Sequence, residues 1–394
     1  MVTIDRKGMD RLTAGITSTQ PVSGLTHNFY RYPARFSPDF VRSVIHEFSG
    51  VGDVVYDPFM GGGTTLVEAA SLGRHSVGTD VSSLATFIAQ VKTAVFSDKE
   101  LLNVEAWARA VIPTLTIGTG NSRVRESIRV DYQRNINCRS TWRIRKLLEG
   151  GLGAIDLLDR RVEQLLARCI LLKTAQWALD CRSEIPAANE FREQAIMNTE
   201  EMIDAAHEFS TIMREHNQMP QVLCLQRSVI GAEDDKRLAA AGPPSLILTS
   251  PPYPGLHVLY HRWQVRGRKE TPAPFWIAGT QDGSGASFYT FGDRKQSSLT
   301  RYFETLLAAF RSIHRIADAK TTIVQMVAFS EPDTQLPRYL DTMSKAGFSE
   351  VSAPVSDDSP DGRLWRSVPG RKWCARQMGS TGGSQEVVFF HRKT

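Results

Sequence analysis

The stretch "DVVYDPFMGGGTTLVEAASLG", residues 53–73, decides the fold of this protein. It begins with a short β-branched run that stops at Asp57-Pro58, passes through three glycines and continues with helical periodicity up to Gly73. A second β-branched run, "HSVGTDV", follows directly. A strand, a tight loop, a helix and a strand in this order predict a βαβ unit and therefore a parallel sheet of the α/β class.

The three consecutive glycines of this loop, residues 61–63, indicate a ligand. Backbone without side chains can approach a bound group closely, and the helix start behind the loop offers free N–H groups and a positive dipole end. The loop lacks both the lysine of a nucleotide-hydrolase P-loop and the GxGxxG spacing. It can hold a phosphate or a carboxylate, although a tight turn between a strand and a helix would use the same residues.

Asp80 lies 23 residues beyond Asp57, at the end of the second predicted strand. In a doubly wound fold, a carboxylate about 20 residues beyond the glycine loop accepts hydrogen bonds from ribose hydroxyls. Asp80 could instead cap the next helix, which opens at Ser82-Ser83. The neighbouring glycine loop favours the ribose interpretation.

The composition is that of an ordinary globular protein, with 394 residues, 41% hydrophobic and 23% charged. The sequence has neither an apolar run long enough to span a bilayer nor a signal-peptide core at its start. Its five cysteines are scattered singly, which indicates neither a disulfide framework nor a zinc site. We expect a cytoplasmic protein with no metal and no membrane partner.

Positive charge is concentrated in one segment. Residues 121–150 contain eight basic and three acidic residues, an excess of five that equals the net charge of +5 of the whole chain. Such a segment is typical of a polyanion-binding face, and equally of a solvated helix face.

The chain divides into four segments by pattern. Residues 1–24 suggest a flexible N-terminal arm, and 25–98 carry the strand–helix alternation. Residues 99–217 have helical periodicity throughout, which predicts a helical insertion between the second and third strands. Strands resume at "QVLCLQ" and "PSLILTS", so that 218–394 forms the second half of the core. Within it, the pattern of 254–297 predicts a long loop, which in a compact domain is usually functional or disordered.

The predicted strand "LILTS" ends in two prolines and a tyrosine. Proline cannot donate to a sheet ladder, so the strand must stop there. The corner places a hydroxyl (Ser250), a rigid carbonyl (Pro251) and an aromatic face (Tyr253) where ligands lie in such folds. These groups suit methylation of an exocyclic amine on a base, because fixed acceptors for its N–H groups would relocalise its lone pair. A strand that is simply ended by two prolines is the alternative.

Three motifs together resemble the amino-methyltransferases of DNA, which make N4-methylcytosine or N6-methyladenine from S-adenosylmethionine. "DPFMGGGTT" is similar to their cofactor loop and "TSPPY" to their catalytic tetrapeptide. "HNFYRYPARFSPDFV", residues 27–41, resembles the segment that packs over the methionine part of the cofactor. The resemblance covers residues 25–98 and 218–394. It implies an α/β fold with a Rossmann-like core, in which 25–98 is the cofactor-binding half and 218–394 the catalytic half.

The resemblance and the charge pattern assign the candidate site residues. The catalytic candidates are Ser250, Pro251, Pro252 and Tyr253. The cofactor-binding candidates are Tyr32, Pro33, Phe36, Asp57, Pro58, Phe59, Gly61, Gly63, Thr64, Thr65, Asp80 and Val81. The candidates for DNA contact are Arg139, Arg143 and Arg145 in the insertion, and Arg262, Arg266 and Arg268 in the loop after Tyr253, where basic residues alternate with aromatic ones.

Two features depart from the family pattern. Gln226-Arg227-Ser228 stands where the family often has an acid near the adenine amine, and the 99–217 insertion lies outside the resemblance. Ser250 stands where adenine enzymes more often carry an acid, so we expect methylation of cytosine N4 in duplex DNA. The expected setting is restriction-modification or self-DNA marking, alone or beside a restriction nuclease. The alternatives are an N6-adenine enzyme, an inactive cofactor-binding subunit that recognises DNA, and an RNA or free-base methyltransferase.

Overall fold

The computed structural model describes residues 6–18, 20–32, 35–118, 130–182, 184–254, 262–266, 269–283, 289–292, 296–351, 361–367 and 385–394. The strands are β1 (Val54–Asp57), β2 (His75–Asp80), β3 (Val222–Gln226), β4 (Leu246–Thr249), β5 (Trp263–Val265), β6 (Lys269–Thr271), β7 (Thr322–Ala328), β8 (Phe348–Glu350), β9 (Leu364–Ser367) and β10 (Gln385–Lys393). The helices are α1 (Arg6–Thr17), α2 (Pro38–Phe48), α3 (Thr64–Ser71), α4 (Ser83–Lys92), α5 (Asp98–Val111), α6 (Trp142–Gly153), α7 (Arg161–Leu179), α8 (Ala188–Glu215), α9 (Lys236–Ala241), α10 (Ala273–Ala278), α11 (Gln296–Ile316) and α12 (Pro332–Lys345).

The central sheet has the strand order β3-β2-β1-β4-β7-β10-β8. Its first five strands are parallel, and the order reverses between β1 and β4, where Val55 lies opposite Leu246. This is the doubly wound, Rossmann-like arrangement, and the predicted fold class is confirmed. Ligands bind at such a reversal, beyond the carboxyl ends of the strands.

Strand β10 runs antiparallel to its neighbours. It pairs with β7 along seven residues on one side, and with β9 and β8 on the other. Because its direction is opposite, its first residues lie at the edge of the sheet where the parallel strands end.

Helices cover both faces of the sheet. On one face, α11 and α12 pack against Tyr56, Ile247 and Ile323, and on the other, α1 and α2 pack against Leu248 and Val324. Neighbouring residues of one strand point to opposite faces, and both sets are apolar, as expected for a parallel sheet that is covered on both sides.

The segment predicted as a helical insertion folds as α5 to α8 between β2 and β3, which lie side by side in the sheet. Its buried apolar residues form one cluster with those of α4 and α10. The insertion is therefore packed against the α/β core through a shared hydrophobic interior.

The prediction of a flexible arm over residues 1–24 is wrong for residues 6–17, which form helix α1. Met9, Leu12 and Ile16 are buried in the cluster that includes α2. Their spacing of three and four residues is that of a helix face. Because the residues between them are mostly polar, this periodicity was not recognised in the sequence.

The region predicted as a long loop, 254–297, also contains regular structure. Strands β5 and β6 form an antiparallel hairpin, and α10 is buried against the insertion cluster. The run "PFWIA" in α10 is too short for periodicity to distinguish a helix from a loop. No helix within the described ranges is both long enough and apolar enough to cross a membrane.

Candidate functional site

A pocket lies at the carboxyl ends of β1, β2, β3 and β4, next to the point where the strand order reverses. Its lining combines the glycine loop, the segment before α2, the ends of these strands and part of the region before α11. The lining residues are Tyr32, Arg35, Phe36, Asp57, Pro58, Phe59, Met60, Gly61, Gly62, Thr64, Asp80, Val81, Ser82, Arg227, Ser228, Val229, Ile230, Ser250, Pro252, Tyr289, Thr290, Phe291 and Thr305.

The glycine loop lines the pocket and also packs closely against neighbouring side chains. Gly61 has φ +47° and lines the pocket. A Cβ on Gly62 would lie 2.8 Å from Tyr32 Cβ, and one on Gly63 would lie 2.9 Å from Ala89 Cβ. Gly63 caps α3 with φ +76° and lies outside the pocket lining. The loop therefore needs glycine at residue 63 to approach α4, and not to approach a ligand.

Asp80 holds the glycine loop against the end of β2. The Gly61 N–H donates to Asp80 Oδ2 over 3.0 Å, and the Ser82 N–H donates to Oδ1 over 2.8 Å. Ser82, and not Asp80, is the N-cap of α4, since its hydroxyl accepts from the Ala85 N–H. Burial raises the pKa of Asp80 to about 6. When ionised, the carboxylate has about four acceptor sites, so it can accept from a further donor beyond the N–H groups of Gly61, Val81 and Ser82.

Asp57 joins β1 to β4 below the pocket. Its Oδ1 accepts from the Thr249 hydroxyl over 2.8 Å and from the Phe59 N–H over 3.1 Å. Burial raises its pKa to about 6. These bonds fix the first residue of the loop relative to the end of β4, where Ser250 follows.

The segment before α2 is anchored by a buried acid on α3. Glu68 accepts from the Arg42 guanidinium at 3.0 Å, and His27 Nε2 lies 2.8 Å from the same carboxylate. This anchor places Tyr32 and Phe36 in the pocket wall. Pro33, which was predicted to contact the cofactor, lies outside the described residues.

Lys92 lies behind the glycine loop and is only 1% exposed. Its Nζ donates to the Gly62 carbonyl over 3.0 Å. Burial lowers the pKa of Lys92 to about 7. The sequence of α4 predicts an ordinary apolar helix, and nothing in it indicates that Lys92 contacts the glycine loop.

The end of β4 presents Ser250 and Pro252 to the pocket. The Tyr302 hydroxyl donates to the Pro252 carbonyl over 2.7 Å, which ties this corner to α11. Pro251 and Tyr253 are buried and do not belong to the pocket lining. Tyr253 is 8% exposed, and its hydroxyl lies 2.9 Å from Ser250 Oγ.

The structure brings most of the predicted cofactor residues together. Nine of them line the pocket: Tyr32, Phe36, Asp57, Pro58, Phe59, Gly61, Thr64, Asp80 and Val81. Thr65 is buried in α3 and lies outside the lining.

Other residues of the wall were not among the cofactor candidates. They include Arg227 to Ile230 after β3, and Tyr289 to Phe291, where Phe291 packs edge-on against Phe59. Two signals pointed to the first group: the resemblance placed Gln226-Arg227-Ser228 near an adenine amine, and the residues after β3 must reach the same edge as the other strand ends.

The candidate DNA-contact residues differ in their surroundings. Arg139, Arg143 and Arg266 are exposed. Arg145 forms an ion pair with Glu149, and Arg262 lies 3.0 Å from Asp282, so both are engaged within the protein. Arg268 lies outside the described residues.

The two basic candidate regions meet in the fold. Arg266 contacts Cys138 at 3.5 Å, directly before Arg139, and Asn135 donates to the Glu270 carbonyl over 2.7 Å. Tyr132 and Tyr289 both bond to the Asp282–Gly283 turn, and Tyr289 lines the pocket. Hydrogen bonds through Asp282 and Gly283 therefore connect the region of Tyr132 with the pocket wall at Tyr289.

The structure thus places the Asp80 carboxylate, an apolar wall and the Ser250 hydroxyl around one pocket. A ligand that bonds Asp80 would therefore lie in the same pocket as Ser250.

A family model and several curated proteins are similar to part of this chain. Residues 15–90 match the family model described as DNA methylase. The type II methyltransferase M.MjaII of Methanocaldococcus jannaschii is 36% identical over 78 residues, which are 20% of this chain and 15% of the relative. M.BsoBI of Geobacillus stearothermophilus is 38% identical over 71 residues, 18% of this chain and 14% of the relative. M.MvaI of Kocuria varians is 35% identical over 80 residues, 20% of this chain and 18% of the relative.

The chain thus spans less than a fifth of the length of each of these three relatives in the matched region. Among solved structures, the rRNA methyltransferase aviRa from Streptomyces viridochromogenes aligns over 98% of this chain and 94% of its own at 10% identity. Its TM-score of 0.31 is too low for this likeness to carry an argument.

Proposed function

We propose that this chain is a DNA amino-methyltransferase that methylates an exocyclic amine of a base in duplex DNA, since residues 15–90 match the family model described as DNA methylase. The observation that carries this proposal is the position of Ser250. It lines the same pocket as the glycine loop and Asp80, so the candidate acceptor for the amine lies beside the candidate cofactor site.

The pocket fits S-adenosylmethionine, the methyl donor of this family. The free lone pairs of Asp80 would accept from the ribose hydroxyls, and Tyr32 and Phe36 would cover the methionine part. Val229 and Ile230 offer apolar surface for the adenine ring. When bound, the cofactor supplies an electrophilic methyl group on a sulfonium.

The protein's own part in the reaction is to prepare the amine. An exocyclic amine is a poor nucleophile because its lone pair is delocalised into the ring. Ser250 would accept one of its N–H groups and favour a localised lone pair that faces the methyl group. A methyl donor held at the glycine loop and Asp80 would supply the methyl group, and the amine would give up one proton to solvent in exchange, so that it ends as a neutral methylamine.

The target base must leave the double helix, since its amine is buried in the base pair. We infer that it enters beside the Ser250 corner. The predicted stacking of its ring on Tyr253 does not fit this entry, because Tyr253 is buried and lies outside the pocket lining. The exposed arginines Arg139, Arg143 and Arg266 would contact the phosphate backbone on the surface that continues from Tyr289. Modification of self DNA, alone or beside a restriction nuclease, is the setting we propose.

Cytosine N4 is the target that we propose within this class. A serine stands at residue 250, where adenine enzymes more often carry an acid. It removes a carboxylate from the neighbourhood of the base.

The test is to incubate the purified protein with S-adenosylmethionine and unmethylated duplex DNA of mixed sequence, digest the DNA and identify methylated nucleosides by mass. We expect N4-methyldeoxycytidine, and its loss in Ser250→Ala with cofactor affinity retained. N6-methyldeoxyadenosine alone would overturn the base assignment. No methylated base from a protein that binds the cofactor would overturn the function.

A further inference from the structure

We propose that Glu386, held by Arg366, sets the direction of the hydrogen bonds in the Ser250–Tyr253 hydroxyl pair, so that Ser250 faces the target amine only as an acceptor. This inference rests on the proposed function, and it assigns a positioning role to a residue 133 positions away from Tyr253.

The topology of the sheet brings Glu386 to the site. It is the second residue of β10, and because β10 is antiparallel, its first residues lie at the edge where β4 and β7 end. Arg366 on β9 lies directly opposite Glu386 in the register. The Glu386 side chain therefore reaches the Ser250 corner from the neighbouring part of the sheet.

Four side chains form a continuous chain of contacts. Ser250 Oγ lies 2.9 Å from the Tyr253 hydroxyl, which lies 2.8 Å from Glu386 Oε1. The other oxygen, Oε2, accepts from both Nε of Arg366 at 2.8 Å and its terminal nitrogen at 2.6 Å. Glu386 is 4% exposed, so the network is shielded from solvent.

The direction of each bond follows from the ends of the chain. Arg366 can only donate, and an ionised carboxylate can only accept. Tyr253 must therefore give its proton to Glu386 Oε1. Since that proton is used, the contact between Ser250 and Tyr253 requires the Ser250 hydroxyl to donate. A hydroxyl that could rotate freely is thereby fixed.

The fixed direction matters for the chemistry. Ser250 donates its only hydroxyl proton to Tyr253. Its lone pairs therefore remain available on the pocket side, where they can accept an N–H of the amine. If the hydroxyl instead donated to the amine nitrogen, it would bind the lone pair that has to attack the methyl group. An acceptor that is oriented beforehand needs no reorganisation during the reaction.

The test is the nearly isosteric change Glu386→Gln. Arg366 can only donate, so it takes the amide oxygen and leaves the amide NH₂ toward Tyr253, which reverses the direction of the chain. We expect kcat for methyl transfer to fall about 10–100-fold, the worth of a hydrogen bond to a charged group. KM for DNA and the calorimetric Kd for S-adenosylmethionine should stay within about twofold, because Glu386 lies outside the pocket lining.

A matched control and a second variant separate orientation from general destabilisation. Glu350→Gln disturbs a similar carboxylate–arginine pair, formed with Arg363 at 2.7 and 2.8 Å, that does not include Tyr253. Its kcat should remain that of the wild type. In Tyr253→Phe the chain is already broken, so adding Glu386→Gln should lower kcat no further.

The outcomes decide between the proposals. If the wild type methylates DNA and Glu386→Gln keeps a kcat within twofold, or if its effect multiplies fully with that of Tyr253→Phe, the positioning role is wrong and the function stands. If Glu386→Gln does not fold, Tyr253→Phe decides alone: an unchanged kcat overturns the inference. A wild type that binds the cofactor but methylates no base overturns both.

Discussion

The Asp80 carboxylate has two functions in one side chain. It holds the backbone of the glycine loop through the Gly61 N–H, and it presents remaining lone pairs to the pocket. Both depend on ionisation, which burial makes harder by raising the pKa of this group to about 6. The ionisation of Asp80 therefore makes both the position of the glycine loop and the acceptor strength of the pocket depend on pH.

We predict that the affinity for S-adenosylmethionine weakens as the pH falls through about 6. Binding that needs the ionised carboxylate is complete above the pKa of Asp80 and is lost below it. Asp80→Ala should weaken binding at neutral pH by about 1.5–3 kcal/mol. Calorimetric titration across this range measures both effects. If the affinity of Asp80→Ala depends on pH as that of the wild type does, the group that titrates near pH 6 is Asp57 instead.

Gly62 is required by a steric contact with Tyr32. We predict that Gly62→Ala destabilises the protein by about 1–3 kcal/mol, because its Cβ would lie 2.8 Å from Tyr32 Cβ. Cofactor affinity should fall too, since Tyr32 forms part of the pocket wall. Gly50→Ala is the control, because the nearest atom to a Cβ there is a side-chain oxygen at 3.6 Å. Equal melting temperatures for the two variants would refute the steric argument.

At the scale of elements, α4 supports the glycine loop from behind. Its last residue, Lys92, bonds the Gly62 carbonyl, while the Thr26 hydroxyl donates to the Lys92 carbonyl over 2.7 Å. The helix therefore connects the N-terminal segment to the loop. It does so with a charged side chain in the interior, which costs stability whenever that side chain is protonated.

We predict that Lys92 makes the protein more stable as the pH rises above neutral. Its pKa is about 7 in the folded state and ordinarily 10.5, so between these values the unfolded chain binds a proton that the folded protein does not. Stability therefore rises with pH in this window and is lower below it. Melting temperatures at about pH 7 and about pH 9 should differ less in Lys92→Met than in the wild type.

The matched control is Lys99→Met on α5, where the lysine is exposed. This variant should keep the pH dependence of the wild type. If Lys92→Met shows the same rise in melting temperature as Lys99→Met, the buried lysine does not titrate in this range.

At the scale of the whole molecule, the insertion α5–α8 shares one hydrophobic cluster with α4 and α10. It also supplies Arg139 and Arg143, which lie near Arg266 from the β5–β6 hairpin. Two distant parts of the sequence thus bring exposed arginines into one region of the protein. Arg145, which the sequence analysis grouped with them, is engaged by Glu149.

We predict that neutralising Arg139, Arg143 and Arg266 together, each to Gln, weakens DNA binding and flattens its salt dependence. Each lost phosphate contact should reduce the slope of log affinity against log salt by about 0.9. Fluorescence anisotropy with duplex DNA at several salt concentrations measures this slope. The same number of changes at the exposed residues Lys236, Arg311 and Lys320 is the control. Equal slopes for both triple variants would exclude this surface as the DNA contact.

Much of the fold and of the cofactor pocket could be predicted from local sequence. The βα unit at residues 53–73, the carboxylate at Asp80 and the Ser250 corner were all readable, because hydrophobic periodicity, glycine and proline act on their own neighbourhood. Nine of the twelve cofactor candidates line one pocket for the same reason, since the ends of parallel strands must meet at one edge.

The remaining features were decided by tertiary structure. Short buried elements such as α10 carry too few residues for a period to be recognised, and α1 shows its apolar face only against α2. The contact between Glu386 and Tyr253, like the one between Arg266 and Cys138, joins residues more than a hundred positions apart. The sequence by itself determined which groups reach the carboxyl edge of the parallel strands. Which distant charged residues lie beside these groups was decided by the antiparallel direction of β10 and by the packing of the insertion. Such contacts depend on strand order and register, and the local sequence contains no pattern that predicts them.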